Sequence, residues 1–131
     1  MNTLNDHEFL VANRNFYEPL WRDARLVEPE QFNTWSLISP LVVRATRRLE
    51  VAPGLRPRLP VDGTAFVDIS INALTKLAAC GGRSVLASIG RLPFADGTFD
   101  LLCALDIIEH VDDDQRAMAE LARVATWVRP C

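Results

Sequence analysis

The chain has 131 residues, 49% of them apolar and 24% charged, with a formal net charge of −3 at neutral pH. That length suits one domain with a real hydrophobic core, and the mild negative charge argues against nucleic acid as a partner. No apolar stretch approaches membrane-spanning length, and the first fifteen residues lack the apolar core of a signal peptide.

Residues 1–35 read as a helical lead-in, because Phe9, Leu10, Phe16, Tyr17, Leu20 and Trp21 recur at spacings near three and four. These aromatic residues are expected to pack a core or a lid. A second helix is predicted over 36–46, with Pro40 in its first turn or kinking it. The rhythm then becomes β/α. Residues 48–52 (RLEVA) form a predicted strand ended by Pro53-Gly54, and 65–69 (AFVDI) form a second. A helix over 72–80 is closed by Gly81-Gly82, and 84–87 (SVLA) form a third strand. Residues 99–105 (FDLLCAL) are nearly all apolar, as in a strand covered on both faces. Asp112, Asp113 and Asp114 can cap a last helix running to about 125, with Ala117, Leu121 and Val124 inward. Strands alternating with helices predict a parallel sheet. The expected division is a lead-in or lid over 1–46 and an α/β domain over 47–131.

In open α/β sheets, ligands bind outside the carboxyl ends of the strands, so the polar residues at those ends are candidates. Glu50, Ala52 and Gly54 lie in LEVAPG, where a strand meets a glycine turn that lets backbone approach a ligand; a plain strand and turn is the alternative. Asp68 and Ile69 end the second strand. A carboxylate there can accept hydrogen bonds from two ribose hydroxyls, or it can cap the next helix, for which Ser70 is equally placed. Ser88 and Ile89 end the third strand. Asp106, Glu109 and His110 follow the fourth at i, i+3 and i+4, one face of a helical turn, with histidine suited to general base work near neutral pH. The arginines Arg44, Arg47, Arg48, Arg56 and Arg58 read as solvated residues flanking a strand. Cys80, Cys103 and Cys131 are widely spaced and lack any CxxC pair. Neither a disulfide framework nor a zinc site is expected, and a reducing cytoplasm is the expected location.

Residues 91–111, RLPFADGTFDLLCALDIIEHV, resemble the second half of the cofactor-binding region of class I S-adenosylmethionine-dependent methyltransferases. Those enzymes often read LPF-x-DG-x-FD, then an apolar strand, then EHV. The resemblance spans roughly 44–124. It implies a partial Rossmann-like α/β sheet of strand order 3-2-1-4 with a helical N-terminal lead-in, apparently truncated before the fifth strand. It also implies S-adenosyl-L-methionine as cofactor, held at Glu50, Ala52, Gly54, Asp68, Ile69, Ser88, Ile89 and Leu105, with the ribose at Asp68 and the adenine edge at Ser88 and Ile89. Four departures stand out: Ala52 replaces the first motif glycine, Arg56 falls where the third is expected, Pro57 and Pro60 leave little room for the helix that normally follows, and Ser88 replaces an acid. Asp106, Glu109 and His110 are the candidate catalytic residues, to position an acceptor or take its proton, unless they are only structural. They also resemble an E-x-x-E-H metal pattern with Asp first, yet no metal is expected. The implied activity is methyl transfer to an unidentified acceptor, expected to be a small molecule. One alternative is a non-catalytic remnant that binds cofactor or packs on a partner. Another is a nicotinamide-dependent oxidoreductase, against which G-x-G-x-x-G is absent. A fourth strand carrying only Asp100 as a charge would be an exposed apolar edge, so self-association is expected.

Overall fold

The computed structural model describes residues 6–105 and 113–126. Four strands, β1 (Arg48–Val51), β2 (Ala65–Asp68), β3 (Arg83–Leu86) and β4 (Leu101–Cys103), form one parallel sheet in the order β3-β2-β1-β4. The order matches the one expected from the sequence. Alternate residues of each strand point to opposite faces, and each face buries its own cluster. Leu49, Val51, Ala65 and Val67 pack with Ile89, Leu92, Phe99 and with Ala117, Leu121 and Val124 of helix α4 (Asp114–Val124). On the other face Phe66 packs with Leu55 and Val61, with Ala73, Leu74 and Leu77 of α3 (Ile71–Ala79), and with the half-buried Trp21, Ala24 and Leu26. Each large apolar side chain so buried contributes about 1.5–3 kcal/mol.

Two helices, α3 and α4, begin where a side chain satisfies one of their free N–H groups. Ser70 Oγ accepts from Ala73 N at 3.1 Å, so serine rather than Asp68 caps α3. Asp113 accepts from Arg116 N at 2.9 Å and caps α4. Two further helices precede the sheet, α1 (Asp6–Asp23) with Pro19 inside it and α2 (Trp35–Arg44) with Pro40 inside it. α2 ends two residues earlier than predicted. The carboxylate of Asp100 takes the N–H groups of Thr46 and Arg47 at 2.9 and 2.8 Å, and so draws them to the entrance of the sheet. No helix of the described residues is long and apolar enough to cross a membrane.

Two connections depart from regular α/β crossovers. β1 and β2 are joined through 52–64 by turns alone, as Pro57 and Pro60 led us to expect. β4 is shorter than the predicted 99–105. Phe99 keeps its side chain in the core, and its backbone pairs in parallel with Ala125, donating to Val124 O at 2.9 Å and accepting from Thr126 N at 2.7 Å. Gly97 N also donates to Arg123 O at 2.9 Å, so the end of α4 and the residues just after it lie against the chain that enters β4.

Candidate functional site

The carboxyl ends of the strands bring the cofactor candidates into one line: Ser88 and Ile89 beyond β3, Asp68 and Ile69 at β2, Ala52 to Gly54 beyond β1, and Leu105 beyond β4. At β1 the chain turns through two left-handed residues, Ala52 and Gly54, both at φ +56°. Ala52 therefore keeps the conformation that a motif glycine adopts without strain, although its Cβ opposes it. The replacement changes the cost of the turn and leaves its shape.

Asp68 is buried, and both of its oxygens are engaged. Oδ2 accepts from Gly54 N at 2.9 Å and Oδ1 from Ser70 N at 3.0 Å, so the β2 end is tied to the β1 turn. Burial pushes its pKa up, opposed by these N–H bonds, and the nearby Glu18 carboxylate pushes it further up. The Ile69 N–H also faces this carboxylate, so of the about four acceptor positions a carboxylate offers only part is left for a hydroxyl donor.

Glu50 is used differently. It stands in β1 beside Phe66 and Cys103 and is 2% exposed. Its Oε1 accepts from Arg58 N and Leu59 N, both at 2.9 Å, and Oε2 lies 3.0 Å from Arg58 N. Burial pushes its pKa up to about 7, against the pull of these N–H groups and of the Arg58 guanidinium. The same burial, with Glu50 alongside, pushes the Cys103 thiol up to about 12, which leaves it protonated and unreactive. Cys80 and Cys103 are both free.

Ser88 Oγ accepts from Gly90 N at 3.2 Å and keeps its own proton to donate, while Ile89 is buried in the core. Leu105 is exposed. Asp106, Glu109 and His110 lie outside the described residues. Among the described residues no group of three or more His, Cys, Asp or Glu is placed to hold a metal ion.

Two features were not read from the sequence. A Cβ added to Gly54 would fall inside the indole of Trp21, so helix α1 rests on the β1 turn. The LPF-x-DG loop owes its shape to α4: Arg123 donates to Leu92 O and Phe94 O at 2.9 and 2.7 Å, and Glu120 accepts from Leu92 N at 2.7 Å. The only signals were the shared helical face of Glu18 and Trp21, and of Glu120 and Arg123. The donor set fits a ribosyl ligand, with acceptor positions at Asp68, a hydroxyl at Ser88 and no side chain at Gly54; the space over Gly54 is filled by Trp21.

A family model described as a methyltransferase domain matches residues 59–126. An uncharacterized protein of Methanocaldococcus jannaschii is 38% identical over 61 residues, which are 47% of this chain and 26% of that protein. An uncharacterized methyltransferase of a Mycobacterium species is 47% identical over 47 residues, 36% of this chain and 19% of the relative. The chain thus spans about a quarter, or less, of the length of these curated relatives. Among solved structures, magnesium protoporphyrin IX methyltransferase from Synechocystis, with bound S-adenosylmethionine, superposes with a TM-score of 0.60 at 12% identity. That match covers 95% of this chain and 74% of the other and establishes likeness of fold.

Proposed function

We propose that this chain, which belongs to the methyltransferase domain family, binds S-adenosylmethionine across the ends of β1, β2 and β3 and serves methyl transfer to a small-molecule acceptor. The observation that carries the reading is the alignment of Ser88, Asp68 and the Ala52–Gly54 turn along one edge of a parallel sheet, within a chain whose residues 59–126 match that family. When bound, the cofactor supplies an electrophilic methyl on a sulfonium centre. Asp68 would accept from the ribose hydroxyls with the acceptor capacity left by its backbone N–H partners. Ser88 would present a neutral hydroxyl to the adenine edge, a weaker contact than an acid makes. Gly54 would let the ligand approach the backbone. Asp106, Glu109 and His110 remain the candidates for orienting the acceptor. Methyl transfer depends chiefly on alignment of nucleophile and methyl group, so a dedicated base is optional.

Calorimetric titration of the chain with S-adenosylhomocysteine and with NAD tests this. We expect S-adenosylhomocysteine to bind and NAD not to bind. Asp68→Asn should weaken S-adenosylhomocysteine by about 1.5–3 kcal/mol, the usual worth of hydrogen bonds to a charged group. Binding of NAD alone, or affinity indifferent to Asp68→Asn, would sink the assignment.

A further inference from the structure

Helix α1 is fastened to α3 at both ends of that helix. At the N-terminus of α3, the Glu18 carboxylate accepts from the N–H groups of Ile71 and Asn72, and from Asn72 Nδ2 at 2.5 Å. At the other end, Lys76 Nζ donates to the carbonyls of Trp21, Arg22 and Ala24 at 2.8, 2.7 and 2.9 Å, which are the last carbonyls of α1 and its exit. An anion meets a positive helix end and a cation meets a negative one, so both contacts complement the helix dipoles. Trp21 stands between these fasteners, and its indole lies on Gly54.

The docked arrangement carries its own tension. It sets the Glu18 carboxylate near the buried Asp68. It leaves Arg14 Nε, one helical turn before Glu18, buried without a hydrogen-bond partner. Pro19, inside α1, lacks the N–H that would bond the Asn15 carbonyl, so the helix is weakened in the turn that carries Glu18. Phe16 and Leu20 are 70% and 51% exposed, so part of the apolar surface of α1 gains nothing from docking. A ligand that approached Gly54 on its Cβ side would need the space that the indole fills.

We propose that α1 is a latch on the strand-end crevice, in which Trp21 occupies the space over Gly54 until a ligand displaces it, so that cofactor binding and undocking of α1 are coupled. The inference rests on the cofactor reading above. Ligand affinity is then reduced by the fraction of molecules in which the latch is open. Weakening the fasteners strengthens binding without touching Asp68 or Ser88.

The test uses the full chain with S-adenosylhomocysteine as probe, in the wild type, Trp21→Ala and Lys76→Met, the last keeping the aliphatic stem should loss of the indole impair folding. We expect both variants to bind about three- to tenfold more tightly than the wild type. In a Trp35→Phe, Trp127→Phe background, Trp21 emission should shift to the red on binding, and amides of α1 should exchange faster with the probe bound. Equal affinity in all three proteins with unmoved emission overturns the latch and leaves the cofactor reading standing. Weaker binding in Trp21→Ala also overturns it, making the indole a wall of the site. If no protein binds, wild type or opened, both readings fall; binding only in the opened variants is the strongest support.

Discussion

One loop follows β1 and another precedes β4, its neighbour in the sheet, and the fold holds them by opposite means. Residues 52–60 are held from inside: the buried carboxylates of Glu50 and Asp68 collect N–H groups from Gly54, Arg58 and Leu59. Residues 91–97 are held from outside. The guanidinium of Arg123 collects carbonyls of Leu92 and Phe94, bridges to Asp96 and Glu120, and remains partly open to water. A buried anion lends rigidity at the cost of desolvation, whereas a surface guanidinium adds geometric order and modest energy. The loop that follows the candidate cofactor turn therefore rests on a carboxyl whose pKa burial raises to about 7. The loop carrying the most recognisable motif depends on a side chain almost thirty residues away.

The largest expected effect comes from removing the inner support. Glu50→Ala leaves the N–H groups of Arg58 and Leu59 without an acceptor in the interior and should cost about 3 kcal/mol. Glu50→Gln should cost less than about 1 kcal/mol, because Oε1 alone already receives both donors. Denaturant titration of the two variants side by side checks this; equal losses would mean that the charge, and not the acceptor, holds the loop.

The second effect is a slope of stability with pH. The Glu50 pKa rises from an ordinary 4.5 to about 7 on folding, so between those values the folded chain binds more protons than the unfolded one. Stability from this group is full below pH 4.5 and declines as pH rises to about 7, by roughly 3 kcal/mol at most. Asp68, also raised, acts with the same sign. The outer loop acts oppositely, since the pairing of Glu120 with Arg123 lowers its pKa, and that contribution is lost as pH falls into the carboxylate range. Glu50→Gln should flatten the decline between pH 4.5 and 7 and leave the acid-side loss intact. A variant that keeps the wild-type slope would assign it to other groups.

The smallest effect is expected at Arg123. Arg123→Lys should lose most of the melting temperature that Arg123→Ala loses, because an ammonium cannot serve two carbonyls and two carboxylates in one plane. Both losses should be smaller than that of Glu50→Ala. Thermal melting of the three proteins decides it; full retention in Arg123→Lys would show that charge alone orders the loop.

The sequence by itself determined the elements that depend on local chemistry. The apolar runs and the Ser70 and Asp113 caps specify strands and helices because period and capping are properties of neighbouring residues. Pro57 and Pro60 exclude a helix between β1 and β2 for the same reason. With the family motif, the sequence also carried the order β3-β2-β1-β4 and the line of strand ends along which Asp68 and Ser88 stand. It did not reveal what those residues touch. That Glu50 supports a loop, that Phe99 pairs with Ala125 before β4 begins, and that Trp21 covers Gly54 are decided by groups brought together from 8 to 33 positions apart. Such contacts arise from the packing of whole helices on a sheet. No local pattern encodes them, because a side chain's partner is fixed only once both elements have found their places in the core.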